Sequence, residues 1–324
     1  MAGVSKSTVS RVINGTPGVS RRAAEAVRGA IASTGYVPNQ AARTLVTRRA
    51  GSIALIVSEA EGRVFSDPFF ASMVRGANSV LLDRNMHLVL MLAEDDRSRR
   101  KVVEFLRNGH VDGGLLISTH THDPLPRTLT AEGLPVVLSA RPAQPLAISY
   151  VDVDNAAGAG LAVDHLAERG CRAIATIAGP QDMPAGQDRL SGYRAALRRH
   201  SMLVRPAHIA YGQFDRLSGV RAAEELLARR VPFDGLFVAS DLMALGALAV
   251  LGEHGLRVPE DVAVVGFDDS VAAQEARPPL TTVRQPVEEM GRALTQALLE
   301  RIADPDAPVT ARIYRPSLVV RDSA

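Results

Sequence analysis

The sequence predicts an α/β protein in which two doubly wound parallel sheets form two lobes of one body, preceded by a small all-α head. Three observations carry this expectation. From Ser52 onward, short apolar runs alternate with amphipathic helical stretches, the rhythm of parallel strands joined by crossover helices. That rhythm restarts near Val151, which suits two successive sheets better than one. The first fifty residues show no strand pattern and carry a net charge of +7, from eight basic residues and Glu25, while the rest of the chain carries −5.

The head reads as short helices. Ser5 caps a segment with Val9, Val12 and Ile13 on one face, ending near Asn14-Gly15. Ser7, Arg11 and Asn14 fall on another face, with Lys6 and Ser10 beside them. Thr16-Pro17-Gly18 is a turn. Ser20 caps a second helix that turns Ala24, Val27 and Ile31 inward and ends at Gly35. Tyr36-Val37-Pro38 is extended, because a residue before proline avoids the helical region. Asn39 caps a further short helix, from Gln40 to about Val46, and residues 47–51 form a linker.

In the body, Ser52–Val57 is a buried strand, followed by a helix with Phe69, Met73, Ala77 and Leu81 on one face. Strands at 87–92, 113–117 and 135–139 follow, with a helix at 97–108. The second run places strands at 173–178, 207–211, 235–239 and 262–266, separated by helices at 156–169, 187–200, 216–230 and 241–255. Short strands at 280–283, 311–314 and 318–320, with a helix at 287–302, complete the two lobes. The expected division is 1–48 for the head, 49–149 with 280–310 for the first lobe, and 150–279 with 311–324 for the second. Sheets of this kind bind ligands at the carboxyl ends of their strands, so two facing lobes make a cleft.

Composition removes several classes. A length of 324 residues with 46% hydrophobic and 22% charged residues suits a globular protein. No apolar run approaches the ~18 residues of a membrane span, and the N-terminal Met-Ala-Gly-Val-Ser-Lys-Ser has no apolar signal region, so the cytoplasm is the expected location. The single cysteine, Cys171, excludes a disulfide framework and paired-thiol zinc. Among 37 basic residues only Lys6 and Lys101 are lysines, a bias that reads as genome composition, so arginine itself carries no signal. The charge asymmetry suggests a polyanion partner for the head alone.

A basic pair of helices joined by a tight turn fits a recognition helix and its support. The run Ala2-Gly3-Val4-Ser5-Lys6-Ser7-Thr8-Val9-Ser10-Arg11-Val12-Ile13-Asn14 resembles the second half of the helix-turn-helix in the lactose-repressor (LacI/GalR) family of bacterial transcriptional regulators. Val19-Ser20, Gly35-Tyr36-Val37-Pro38-Asn39 and the helix Gln40–Leu45 continue the likeness in register. The resemblance implies that Lys6, Ser7 and Arg11 reach base edges in the major groove, with Thr8, Ser10 and Asn14 at phosphates or bases. It makes 39–46 a hinge helix in the minor groove, presenting Asn39 and Ala42, with Leu45 as the wedge that opens a base step. So short a helix is marginal alone in water and orders on docking, which suits a switch. Family members begin with one more helix ahead of Ala-Gly-Val-Ser, and this sequence starts at that point. The expectation is therefore a longer natural protein; the alternative is a sugar-sensing module that does not bind DNA.

The body resembles the same family, and the periplasmic sugar-binding proteins, through Asp67-Pro68-Phe69-Phe70, Val111-Asp112-Gly113, Gly179-Pro180, Arg189, Gly192-Tyr193, Ser240-Asp241, Gly266-Phe267-Asp268-Asp269 and Thr281-Thr282-Val283-Arg284-Gln285-Pro286. The implied fold is a periplasmic-binding-protein-like pair of lobes. The implied ligand is a small sugar or sugar derivative, since carboxylates and guanidinium groups suit hydroxyls and aromatic faces suit a ring. Phe69 and Phe214 would flank it with Phe70 nearby; Arg189, Asp241 and Asp268 would grip it from the second lobe, Gln285 from the crossover, Asp67 and Arg141 from the first lobe. Where sugar-binding relatives carry an aspartate before the arginine, this chain has Ala140, so one hydroxyl partner is missing. Phe69 and Phe70 also fit a core, and Arg189 and Asp241 also fit helix-start ion pairs.

Other signals are weaker. His120-Thr121-His122-Asp123 resembles a metal spacing but reads as a polar loop. Gly158-Ala159-Gly160 lacks the third glycine of a dinucleotide fingerprint. Cys171 reads as a buried thiol, and of the adjacent Asp268 and Asp269 one is expected to pair structurally. No catalytic constellation, metal site or cofactor motif is read. The functional expectation is a ligand-responsive repressor that binds a palindromic operator as a homodimer and releases it when the effector closes the cleft. A dimer is preferred because the C-terminal Arg-Asp-Ser-Ala offers no heptads for a tetramerising coil.

Overall fold

The structure is a computed structural model that describes residues 2–13, 17–35 and 49–324. Asn14, Asn39, Ala42 and Leu45, and with them the expected hinge helix, lie outside the described residues.

In the head, α1 (Lys6–Ile13) starts where the Ser5 hydroxyl accepts from the Thr8 N–H at 3.1 Å. Its Val9, Val12 and Ile13 are half-buried, whereas Lys6, Ser7, Ser10 and Arg11 are exposed. The partner helix α2 (Arg21–Thr34) is capped by Ser20, whose hydroxyl accepts from Ala23 N–H, and stops at Gly35 in the left-handed conformation, φ 62°. Val27 is buried at its centre.

The body has two six-stranded sheets. The first contains β1 (Ser52–Val57), β2 (His87–Leu92), β3 (Gly114–Ile117), β4 (Val136–Ser139), β5 (Ser149–Val153) and β11 (Ala311–Tyr314), all parallel, in the order β2-β1-β3-β4-β5-β11. The second contains β6 (Ile174–Ala178), β7 (Ile209–Tyr211), β8 (Gly235–Val238), β9 (Ala263–Asp268), β10 (Thr281–Arg284) and β12 (Ser317–Val319), in the order β7-β6-β8-β9-β10-β12, with only β12 antiparallel. Strands such as β1, β3 and β4 are buried almost throughout, as parallel strands covered on both faces must be.

Helices cover each sheet on both sides. In the first lobe these are α3 (Glu61–Ser66), α4 (Pro68–Leu82), α5 (Asp96–Arg107), α6 (Leu125–Ala131) and α12 (Val287–Ala303). In the second they are α7 (Asn155–Glu168), α8 (Pro184–Arg199), α9 (Arg216–Ala228), α10 (Asp241–Glu253) and α11 (Val271–Glu275). Among the described residues no helix is long and apolar enough to cross a membrane.

Sheet membership departs from the expected division. Residues 149–153 and 311–314 pair with each other in the first sheet, Ala311 opposite Tyr150, although both 150–153 and 311–314 were assigned by sequence to the second lobe. Residues 281–284 lie between β9 and β12 in the second sheet, although 280–310 were assigned to the first. Only α12 of that segment sits in the first lobe, against α4. The chain therefore passes between lobes after β5, after β10 and after β11. Local hydrophobic runs identify strands, but the partner of an edge strand is set by non-local pairing.

Close packing of α4 on α12 depends on Gly76. A Cβ there would stand 2.1 Å from the Glu288 carbonyl oxygen and 3.1 Å from Arg292 N. Gly76→Ala is expected to force the helices apart and destabilise the fold by about 1–3 kcal/mol, read as a lower midpoint in urea unfolding with an unchanged slope.

Candidate functional site

The carboxyl ends of both sheets face each other across a cavity of about 670 Å³, open solvent at its mouth included. Ser118 and Thr119 follow β3, Ser139 and Ala140 end β4, and Asp152 and Val153 end β5. From the second lobe come Ser240 after β8, Asp268 at the end of β9 and Gln285 after β10. Backbone strain gathers here. Ser118 (φ 58°), Ala140 (φ 140°), Phe214 (φ 60°) and Asp268 (φ 121°) all line the cavity with positive φ. Such conformations cost free energy in residues with a side chain and persist where surrounding packing demands them.

Arg189 is the centre of the wall. It is 5% exposed, projects from α8 and donates from Nε to Asn155 Oδ1 at 2.8 Å and from Nη1 to the Ala239 carbonyl at 2.6 Å. Asp268 Oδ1 lies 3.4 Å from the same Nη1 and accepts from Gln285 Nε2 at 2.6 Å. The guanidinium stacks 3.6 Å from the centroid of Phe267 and 5.4 Å from that of Phe214.

Carboxylates outnumber the cations they face. Burial pushes the Asp268 carboxyl up to about 8; Arg189 opposes this, while Asp241 and Asp67 add to it. Burial likewise raises Asp241 to about 7 and lifts Asp67 and Asp152 above the ordinary carboxylate range. Asp241 accepts from Thr282 Oγ1 at 2.6 Å and from Ser270 N–H at 2.7 Å. Asp269 pairs with Arg284 and, at 2.5 Å, with Arg321, in keeping with the structural partner expected of the adjacent aspartates.

Two contacts cross the mouth between the lobes. Arg141 makes a bidentate pair with Asp188 of α8, at 2.8 and 2.7 Å. His120 Nδ1 is 2.7 Å from Asp182, whose carbonyl also accepts from the Thr121 N–H at 2.7 Å. His120 is raised to about 9 by hydrogen bonding to Glu59, against burial and with help from Asp182. The polar loop at 120–123 thus holds the lobes together through Asp182.

Comparison with known proteins places this arrangement. Residues 163–324 match the periplasmic binding protein-like domain, and residues 1–39 match the bacterial regulatory proteins of the lacI family. The HTH-type transcriptional regulator CelR of Thermobifida fusca is 47% identical over 325 residues, which cover 100% of this chain and 96% of that protein. This chain belongs to the lacI family. A solved structure of a transcriptional regulator CelR–cellobiose complex matches it with TM-score 0.83 and 45% identity, covering 100% of this chain and 97% of that one. The lac repressor dimer bound to operator and the anti-inducer ONPF matches with TM-score 0.86 and 27% identity, covering 99% and 96%.

Six of the nine ligand residues expected from the sequence of this lacI-family chain line the one cavity: Asp67, Phe69, Arg189, Phe214, Asp268 and Gln285. Three do not. Phe70 is 3% exposed and packs in the first-lobe core, because neighbouring residues on a helix face directions about 100° apart. Arg141 is spent on Asp188. Asp241 is fully buried behind the wall, bonded to Thr282 and Ser270. Sequence reasoning missed Arg63, Ser118, Asp152 and Asn155, all on the cavity wall. Asp152 presents a carboxylate on the wall shared with Ala140, where the expected aspartate is absent. A polar residue at the end of an apolar strand was the available signal for Asp152; Arg63, in a short helix with no strong periodicity, gave none.

The raised Asp268 makes stability pH-dependent. Its proton is held in the folded state up to about pH 8 but released by an unfolded aspartate near pH ~4. The stability it contributes is full below the lower value and lost as pH rises through the upper one. Asp268→Asn is expected to flatten the fall in melting temperature between pH 5 and pH 8.5, followed by circular dichroism, so that the variant melts above the parent chain at the alkaline end.

Proposed function

We propose that this lacI-family protein is a cytoplasmic transcriptional repressor that binds operator DNA as a homodimer and releases it when an uncharged sugar occupies the inter-lobe cleft. The observation that carries the reading is the joint made by Arg189, Asp268 and Gln285. It ties the second lobe's strand ends to a crossing segment, with Asp67 and Phe69 of the first lobe on the same cavity. An occupant there touches both lobes, and its preference for one arrangement over another shifts the population.

The chemistry of the wall supports a polyol. Carboxylates and a guanidinium offer acceptors and donors for hydroxyls, and Phe69 and Phe214 offer apolar faces for a ring. The bound cellobiose of the CelR complex supports a β-linked disaccharide as the effector class. On the DNA side, the exposed Lys6, Ser7, Ser10 and Arg11 of α1, with Thr8, form the reading face.

Fluorescence anisotropy of the full chain against the DNA upstream of its own gene tests the reading. The Kd is expected to rise at least about tenfold between roughly 50 and 200 mM salt, as phosphate neutralisation requires, and cellobiose is expected to release the DNA. Binding no tighter than to random DNA would leave a sugar sensor instead of a repressor. Arg189→Ala and Asp268→Ala are expected to keep operator affinity while weakening the effector by about 1–3 kcal/mol, since each removes a polar group from the cavity wall and leaves its buried hydrogen-bond partner unsatisfied. A normal effector response in both variants would place the site elsewhere.

A further inference from the structure

The run Val111-Asp112-Gly113 takes no part in the cavity. It lies at the opposite end of the first sheet, beside the place where the chain from the head enters β1 at Ser52. Asp112 accepts there from two successive main-chain N–H groups of the linker, from Ala50 at 2.6 Å through Oδ1 and from Gly51 at 2.9 Å through Oδ2. Gly51 is left-handed, φ 70°, a conformation in which neighbouring N–H groups converge on one anion. The Gly51 carbonyl accepts from the His87 N–H of β2 at 3.0 Å. Asp112 is in turn fixed to the sheet. Its own N–H donates to the Ser52 carbonyl at 2.7 Å, and Val111 on one side is buried. Gly113 on the other side is packed so closely that a Cβ would stand 2.8 Å from the Pro135 carbonyl oxygen and 3.0 Å from Leu298 Cδ1. From there β3 pairs with β1, Ala54 opposite Gly114 through Val57 opposite Ile117, and delivers Ser118 and Thr119 to the cavity wall. Asp112 and Ser118 thus flank one buried strand, roughly 20 Å apart at ~3.3 Å per residue.

We propose that Asp112 is a positioning residue of the repressor: it fixes the direction in which the linker leaves the first lobe, so that a change at the cleft reaches the head through it. This rests on the repressor reading given above. A carboxylate that accepts from two main-chain N–H groups makes charge-assisted bonds, stronger than those between neutral groups. Residues 111–113 are held by the sheet and not by the linker, so the carboxylate moves with the lobe. Strands β1 and β3 are buried and close-packed, so the lobe shifts as a body instead of bending between cleft and linker. Without the Asp112 side chain the Gly51 carbonyl keeps its bond to His87, but the two N–H groups lose the carboxylate that orients them. The linker is then freer to leave in other directions, and its ordering becomes a cost of operator binding.

The full chain, compared with Asp112→Ala and Asp112→Asn, tests this in two ways. The exposed Arg49 precedes a peptide bond whose nitrogen carries one of the clamped hydrogens. Trypsin is expected to cut Arg49–Ala50 at least about fivefold faster in Asp112→Ala, followed by the mass of the product that begins at Ala50, because cleavage tracks local opening. An unchanged rate overturns the clamp. In anisotropy on the upstream DNA, Asp112→Ala is expected to raise the operator Kd at least about fivefold. It is also expected to lose most of the ratio between the Kd values with and without cellobiose, while the free variant binds cellobiose within about twofold of the parent by calorimetric titration. Asp112→Asn keeps the shape and one acceptor oxygen and is expected to fall between the two. An operator response equal to the parent's overturns the positioning role, as does weakened cellobiose binding by the free variants, which reports damage to the first lobe. If the parent binds the DNA but ignores cellobiose, the effector class fails and the operator Kd of the variants decides for or against Asp112. If the parent binds the DNA no better than random DNA, the repressor reading fails and the positioning role falls with it.

Discussion

The guanidinium of Arg189 carries its charge into a nearly buried position on the cavity wall, and much of the second lobe is arranged around that fact. A buried cation is costly unless its donors are met and its charge is answered. Asn155, the Ala239 carbonyl and Asp268 meet it, and each belongs to a different segment: the start of α7, the end of β8 and the end of β9. The flat face rests on Phe267, which has room because Gly158 of α7 carries no side chain; a Cβ there would stand 2.7 Å from the ring. Asp268 in turn holds Gln285 at the second crossing. One side chain thus couples the sheet ends to a connector between the lobes.

The same wall is poorly designed for stability alone. Asp67, Asp152, Asp241 and Asp268 are all pushed toward their protonated forms by burial, and several residues accept left-handed backbone to face the cavity. Strain and unmet charge at the ends of otherwise apolar strands are what a polar ligand site costs a folded protein. Asp241 shows the other use of a carboxylate. It is enclosed by Thr282 and the Ser270 N–H, so it braces the floor under Asp268.

Contacts across the mouth have a different character. Arg141–Asp188 and His120–Asp182 are partly exposed pairs, each of modest strength in water. They favour the arrangement seen without locking it, which leaves contacts inside the cleft to decide between arrangements. Three crossings join the lobes, after β5, after β10 and after β11.

The sequence by itself determined the local features. Ser5 and Ser20 start their helices because a short hydroxyl satisfies a free N–H, and continuous apolar runs become strands buried on both faces. Asp268 stood out in the sequence because such sheets gather ligands at the carboxyl ends of their strands, whereas Arg189 stood out only through the resemblance to the lacI family, since a charge at a helix start also fits an ion pair. Tertiary structure alone decided which sheet received β5, β10 and β11, and which of Phe69 and Phe70 met the cavity. It alone placed Arg63 beside Phe214 and Asp241 behind the wall. The physical reason is common to all of these. Periodicity tells which side of an element is apolar, but strand partners and facing side chains are set by segments far apart in the chain.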